Sequence, residues 1–117
     1  MSRSKSRNRS IYIKIMAILI RDKKAVQALN FFATKEGGEI NRMKAFKLIW
    51  LADRVHLRKF GRPILFDNYY AVKLGPIPSN AKDLSEDNER IVDDVKAYRD
   101  TYIRPKGEYK IKSLHSP

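Results

Sequence analysis

The segment from about Arg42 to Phe60 constrains the fold more than any other part of this sequence. Apolar residues recur along it at steps of three and four, the spacing that places side chains on one face of an α-helix. The stripe comprises Phe46, Ile49, Trp50, Leu57 and Phe60, with Asp53 at its centre. Asn41 is a suitable N-cap, and Gly61 followed by Pro63 would end the helix. The pattern therefore predicts a helix from about Arg42 to Phe60 whose striped face is buried.

Asp53 lies within this apolar stripe, and His56 follows three residues later on the same side of the helix. A buried carboxylate needs a partner, for which Arg62 and Lys73 are candidates. An Asp-x-x-His pair could serve as acid and base or as two metal ligands, but such metal sites need a second copy of the motif. The only other histidine, His115, lies in the tail. We interpret the pair as a structural polar network and expect no catalytic residue, cofactor or metal.

The composition indicates one folded domain. The chain has 117 residues, and its 43% hydrophobic content is that of a globular protein rather than a disordered one. No apolar run approaches the roughly 20 residues that span a bilayer, so we expect no membrane partner. The absence of cysteine excludes disulfides, a zinc ribbon and a thiol nucleophile, and it fits a cytoplasmic location, which we expect.

The charge is unevenly distributed around a formal net value of +12. The first 24 residues carry eight basic side chains against Asp22 alone, whereas residues 83–94 carry six carboxylates against Arg90 alone. A basic arm can bind nucleic acid non-specifically, and a bipolar chain can attract an oppositely charged partner or a second copy of itself. The alternative, that both regions are simply solvated, fits the sequence equally well.

The N-terminal residues predict an extension in front of the domain. Residues 1–10 alternate Ser or Asn with Arg or Lys, which predicts disorder. Residues 11–20 are mostly apolar, but Arg21-Asp22-Lys23-Lys24 stands where a secretory signal would have a small-residue cleavage site. We expect residues 11–20 to form a short strand or a helical extension packed on the domain, and residues 1–21 to be a basic, partly disordered extension. Met16 is an alternative natural start.

Residues 22–117 predict a single mainly α domain of the α+β class, a small helical bundle with a short antiparallel sheet. Asp22 would cap a helix that ends at Gly37-Gly38 and forms an αα-hairpin with the helix described above. Downstream, the sequence predicts a strand at Phe66–Leu74, a turn at Gly75–Pro78 and a short helix at Asn80–Leu84 capped by Ser79. An acidic helix from about Glu86 to Asp100 follows. The last predicted element is a hairpin of two strands, Thr101–Ile103 and Glu108–Lys112, joined by Arg104–Gly107.

The middle of the chain contains three motifs: a K-L-x-x-x-A-D-x-x-H-L run, a G-R-P turn and a G-P-x-P-S turn. The residues concerned are Lys47, Leu48, Ala52, Asp53, His56, Gly61, Arg62, Pro63, Asp67, Lys73, Gly75, Pro76, Pro78 and Ser79. In these motifs the sequence resembles the Panacea domain, the SocA-like antitoxin family also known as phage-associated proteins, over roughly residues 24–84. The resemblance implies a mostly helical domain whose members often neutralise a toxin encoded by the neighbouring gene. Others belong to prophages or mobile elements.

The chain departs from the family pattern in three places. Leu65-Phe66 replaces small, turn-forming residues, so we expect a remodelled loop. The family usually continues with further helices, whereas this sequence ends at Pro117, which suggests a shortened variant or a partly uncovered core. The basic arm has no counterpart in the usual pattern.

We therefore expect a non-enzymatic, antitoxin-like protein that neutralises a cognate protein toxin by direct binding. The resemblance names no toxin-binding residue. The motif residues build the core and its turns, so we expect partner specificity in charged regions outside the motifs, at Glu89, Asp93, Arg104 and Lys106. The alternatives are a DNA-binding transcriptional regulator with the basic hairpin as a wing, and an adaptor that delivers a partner to a protease.

Overall fold

The computed structural model describes residues 2–63, 69–72 and 75–116. Its elements in chain order are α1 (Ser2–Lys35), β1 (Glu39–Asn41), α2 (Arg42–Phe60), β2 (Tyr69–Val72), β3 (Gly75–Pro78), α3 (Ser79–Leu84), α4 (Asp93–Tyr102), β4 (Ile103–Lys106) and β5 (Lys110–Ser113). The predicted class, mainly α with a small antiparallel sheet, is confirmed. Asp67, Lys73 and the expected remodelled loop at Leu65-Phe66 lie outside the described residues.

Helix α2 has the bounds and the caps that the sequence predicts. The Asn41 side chain accepts hydrogen bonds from the backbone N–H groups of Met43 and Lys44, at 2.9 and 3.3 Å. Gly61 adopts a left-handed conformation with φ 73°, and its N–H donates to the Leu57 carbonyl at 2.8 Å. Both ends are satisfied by neighbours in sequence, which is why the local pattern located them correctly.

The burial of the α2 stripe is only partly as predicted. Its buried residues, Ala45, Phe46, Ile49 and Asp53, all lie in the first two thirds of the helix. Leu57 and Phe60 are 49% and 66% exposed, so the prediction that the whole face is buried is wrong for the last turns. Helical periodicity shows which residues share a face, but the length of that face that is covered depends on the elements that pack against it.

Helix α1 is longer than the sequence predicts. It begins at Ser2, so residues 2–10 are helical where the sequence predicts disorder, and the helix start predicted at Asp22 is wrong. The sequence contains no glycine or proline before Gly37. Ala25, Val26 and Leu29 anchor the helix in the core, and extending an existing helix costs far less than nucleating one.

The apolar segment at residues 11–20 takes the helical alternative rather than the strand. Ile11, Tyr12 and Ile13 are each more than half exposed, so the predicted packing of this segment on the domain does not occur at its start. Described residues contain no helix with the length and hydropathy that a bilayer crossing would need.

A three-stranded antiparallel sheet has the strand order β1-β5-β4. Ile40 on β1 and Pro105 on β4 both face Ile111 on the central strand. The β4–β5 hairpin is confirmed, although Arg104 and Lys106 lie in a strand and the turn is centred beyond them, with Gly107 at φ 62°. Strand β1 occupies part of the segment predicted as a turn between the two long helices. The local sequence did not indicate this strand, because its hydrogen-bonding partner, β5, lies some 70 residues further along the chain.

One predicted turn and one predicted helix cap near β3 are wrong. Gly75–Pro78 is a strand rather than a turn, and it pairs with β2 so that Tyr69 faces Pro78. Ser79 is the first residue of α3 rather than its cap, because Pro78 occupies the N-cap position without a side-chain hydrogen bond.

The predicted acidic helix starts too early. Residues 85–92 form turns, and α4 begins only at Asp93, with Val92 as its N-cap. The Arg99 guanidinium donates hydrogen bonds to the backbone carbonyls of Leu84 and Glu86, at 3.3 and 2.9 Å. In a continuous helix these carbonyls would instead accept hydrogen bonds from backbone N–H groups.

The core lies where the four helices meet the three-stranded sheet. Its residues are Ala25, Val26, Leu29, Ala33, Ile40, Ala45, Phe46, Ile49, Ile77, Ala81, Leu84, Val95, Ile103 and Ile111. The motif segments on α2, β3 and α3 therefore surround the same core as the N-terminal helix.

Candidate functional site

The Asp53 carboxylate is buried and accepts a hydrogen bond from the Tyr69 hydroxyl at 2.5 Å, which joins α2 to β2. Of the two partners predicted for Asp53, Lys73 lies outside the described residues, and Arg62 makes a different contact. The Nδ1 atom of His56 lies 2.6 Å from the Arg62 carbonyl oxygen. A carbonyl oxygen can only accept, so Nδ1 carries the proton.

His56 also packs its ring on Phe60, with centroids 4.6 Å apart. Asp53 thus bonds to β2, while His56 bonds to the turn that ends α2. Both side chains bond within the domain, and the structural interpretation of the pair stays a prediction. Among the described residues, no group of three or more acidic, histidine or cysteine side chains could hold a metal ion.

The Arg42 side chain, at the start of α2, connects three segments of the chain. Its guanidinium donates to the Ser85 hydroxyl at 3.1 Å, to the Glu86 carboxylate at 2.6 Å and to the Glu108 carbonyl at 2.9 Å. Lys82 lies 3.1 Å from the other oxygen of Glu86. Burial raises the pKa of Glu86, but the hydrogen bonds from Lys82 and Arg42 together outweigh it, so the pKa falls below its ordinary value.

Arg99 is a second arginine with a structural role, and its side chain is only 1% exposed. Besides the two backbone carbonyls described above, it contacts the carboxylates of Asp100 at 2.7 Å and Asp87 at 3.1 Å. Sequence reasoning overlooked both Arg42 and Arg99. For Arg99 a signal existed, because it lies four residues after the inward-facing Val95 and so shares its helix face.

These arginines explain much of the acidic segment at residues 83–94. Glu86 and Asp87 pair with Arg42 and Arg99, and Asp83 accepts a hydrogen bond from Asn88 at 3.0 Å. Half of the carboxylates in this segment therefore hold the loop between α3 and α4 in place. The net negative charge read from the sequence overstates what this region presents to a partner.

The four residues predicted to bind a partner are all exposed, but they differ in their surroundings. Glu89 lies in a turn, Asp93 is the first residue of α4, and Arg104 lies on β4. The side chains of these three make no hydrogen bond or ion pair with another residue that the structure describes. Lys106 lies 2.6 Å from Glu39, and the hydrogen bonds from Lys106 and Lys110 lower the pKa of Glu39.

A shallow apolar groove of about 250 Å³ lies between α2 and β3. Lys47, Trp50 and Leu51 line it from the helix, and Gly75 and Pro76 line it from the strand. Three of these five residues belong to the motifs, which the sequence placed in separate segments. Sequence reasoning did not predict this groove, because it assigned Gly75-Pro76 to a turn.

The described motif residues lie in four segments of the chain around α2 and β3. Lys47, Leu48, Ala52, Asp53 and His56 are on α2, Gly61, Arg62 and Pro63 follow it, Gly75, Pro76 and Pro78 form β3, and Ser79 begins α3. The Tyr69–Asp53 hydrogen bond joins α2 to β2, and the groove lies between α2 and β3, so segments that are separate in sequence meet around α2.

These motif residues lie within a region that matches a known protein family. A family model described as "Antitoxin SocA-like, Panacea domain" matches residues 46–117, more than half of the chain. The matched range begins in α2 and includes α4 and the β4–β5 hairpin, whereas the resemblance seen in the sequence was limited to roughly residues 24–84. No curated protein and no solved structure matches the chain. The chain belongs to the SocA-like antitoxin family with a Panacea domain.

Proposed function

We propose that this protein is a non-enzymatic antitoxin that neutralises a cognate protein toxin by binding it directly. The observation that carries the proposal is the family match over residues 46–117. The match includes every motif residue and also the charged positions Glu89, Asp93, Arg104 and Lys106. Toxin-antitoxin pairs of this kind act in the cytoplasm, where we expect this protein and its partner to meet.

The geometry of the polar side chains supports binding rather than catalysis. Asp53 and His56, which are the one acid–base pair suggested by the sequence, are bonded to Tyr69 and to the Arg62 carbonyl. A catalytic acid and base would have to converge on one substrate atom. Here Asp53 bonds to β2 and His56 bonds to the turn after α2, which supports a structural role for both side chains.

Among the charged candidates, the structure favours Glu89, Asp93 and Arg104 over Lys106. The side chains of the first three are exposed and make no polar contact within the described part of the chain, so a partner could pair with them without breaking an existing side-chain interaction. The Lys106 ammonium is already engaged by Glu39. Exposed ion pairs of this type contribute little to stability and can exchange partners, so Lys106 remains a weaker candidate.

Co-expression with the protein encoded by the neighbouring gene tests the proposal. We expect this protein to restore growth to cells that the neighbour inhibits, and the two to co-purify. Charge reversal at Glu89, Asp93 and Arg104 should weaken both readouts, whereas reversal of the exposed Lys96 on α4 serves as a control of the same kind. Growth rescue without complex formation would contradict direct neutralisation.

A second candidate function is nucleic-acid binding, and the continuous helix α1 favours it. The helix carries four basic residues within its first nine positions, together with the exposed Lys14. A charged helical arm can follow a phosphate backbone without sequence preference. If DNA binding is the function, affinity for the gene's own promoter should be high and fall steeply with salt, and deletion of residues 1–10 should abolish it.

A further inference from the structure

The outward side of α2 carries a second apolar stripe. A helix turns by about 100° per residue, so Leu51 and Val55 lie on the side opposite the core residues Ile49 and Asp53. Leu51 is 50% exposed and Val55 53% exposed, and the two are adjacent at i and i+4. A helix of a small domain usually presents polar side chains on its solvent side. Two adjacent aliphatic residues there indicate a surface that another molecule covers.

Cations border this stripe. Lys47, Arg54 and Arg58 are exposed on the same helix, and within the described ranges no carboxylate lies within ion-pair distance of any of them. The Arg54 guanidinium lies over the Trp50 ring, with its central carbon 4.8 Å from the ring centroid. By contrast, Lys44, one turn earlier, is paired with Glu36 at 2.7 Å. Among the described residues, therefore, no carboxylate compensates the positive charge that borders the exposed apolar side chains.

The groove described above opens beside this stripe, since Leu51 belongs to both and Lys47 and Trp50 line the groove from the same helix. Its volume of about 250 Å³ lies below the usual range for small-molecule sites, about 300–1,000 Å³. It has room for one or two side chains of a partner. Its lining is mainly apolar, and Lys47 is the one charged residue among the residues that line it.

We infer that this surface, the outer face of α2, binds a segment of the partner that combines acidic side chains with an apolar anchor. The outer face comprises Lys47, Trp50, Leu51, Arg54, Val55 and Arg58. The inference rests on the proposed function, because the segment belongs to the cognate toxin. An aliphatic or aromatic anchor fills the groove, and Asp or Glu side chains on either side of it pair with the three cations. Tryptophan and arginine are the residue types that most often dominate binding energy at interfaces.

The apolar centre of the outer face distinguishes a protein partner from nucleic acid. Phosphate groups would satisfy the cations but would leave Leu51 and Val55 against a hydrated backbone, with no gain from burying them. A protein segment with alternating acidic and apolar side chains satisfies both parts of the surface. The positive charge and the apolar centre of the outer face therefore both favour a protein partner.

The test measures the dissociation constant between the purified protein and the purified neighbouring gene product. Two variants alter the outer face: Leu51→Asp, and the double variant Lys47→Glu with Arg58→Glu. Two controls make the same changes elsewhere on helices: Ile20→Asp on α1, where the side chain is 49% exposed, and Lys96→Glu on α4. Because all these side chains are exposed, circular dichroism and thermal melting should show that the variants stay folded.

We expect each outer-face variant to weaken binding by about tenfold or more, and the controls to stay within about twofold of wild type. Raising the salt concentration should weaken wild type more than the double variant. Wild-type binding that survives both outer-face variants would overturn this inference and leave the proposed function intact. Failure of wild type to bind would overturn both. If the variants reduce affinity for random-sequence DNA while toxin binding is unchanged, the outer face contacts nucleic acid and the inference is wrong.

Discussion

The Arg42 guanidinium and the Glu86 carboxylate lie 2.6 Å apart and join the first turn of α2 to the loop that follows α3. Their side chains are 18% and 29% exposed, so solvent screens the pair only partly. Arg42 also holds Ser85 and the Glu108 carbonyl, so a single side chain organises the junction between the motif helix, the acidic segment and the β4–β5 hairpin.

Replacement of Arg42 by alanine should destabilise the domain. The change removes the Arg42 donor from the Ser85 hydroxyl, the Glu108 carbonyl and one oxygen of Glu86, and we expect the free energy of unfolding to fall by about 1–3 kcal/mol. Urea denaturation measures it. Lys44→Ala, which removes the exposed pair with Glu36, is the matched control and should cost less than about 1 kcal/mol. Equal effects of the two variants would show that the Arg42 contacts are no stronger than a surface ion pair.

Stability should depend on pH through Glu86. Its pKa in the folded protein lies below the ordinary value of 4.5, because the hydrogen bonds from Lys82 and Arg42 outweigh the opposing effect of burial. The ionised group therefore stabilises the fold above about pH 4.5, and this contribution is lost as the pH falls through the folded pKa.

The measurement compares the unfolding free energies of wild type and Glu86→Gln from about pH 3 to 7. We expect the difference to be largest near neutrality and to shrink below about pH 4.5. Glu108→Gln, at an exposed position in the β4–β5 turn, is the control and should give a small difference throughout. A difference for Glu86→Gln that stays constant over this range would contradict the assignment.

Asp53 should prove structural. Asp53→Ala removes the carboxylate that accepts the hydrogen bond from the Tyr69 hydroxyl, and we expect the free energy of unfolding to fall by about 1–3 kcal/mol. Thermal and urea melts provide the measurement, and Glu89→Ala, an exposed change, should stay within about 0.5 kcal/mol of wild type. Unaltered stability accompanied by loss of toxin neutralisation would instead assign a chemical role to Asp53.

The N-terminal arm should be dispensable for folding. Ile11, Tyr12 and Ile13 are exposed, so the start of α1 contributes little to the core. Deletion of residues 1–10 should leave the melting temperature within a few degrees of wild type and remove most non-specific affinity for DNA. A full-length variant with Arg3, Lys5, Arg7 and Arg9 replaced by glutamine separates charge from length and should lose the same affinity. A large drop in melting temperature on deletion would show that the arm is packed.

The sequence by itself determined the features that arise from neighbouring residues. Asn41 and Gly61 cap α2 through atoms within four residues of each end, and for that reason its bounds were predictable. The β4–β5 hairpin was predictable for the same reason, since its strands are joined by a short glycine-containing turn. The motif residues likewise identified the family without any knowledge of where they meet.

Only the tertiary structure decided which charges and apolar residues are available at the surface. Arg42 and Arg99 neutralise part of the acidic segment across 44 and 12 residues of sequence, and a net charge summed along the chain does not record such pairs. Leu57 and Phe60 share the helix face of Ile49 yet stay exposed, because burial depends on elements distant in sequence. Local propensity acts over one helical turn, whereas burial and ion pairing depend on which segments the whole chain brings together.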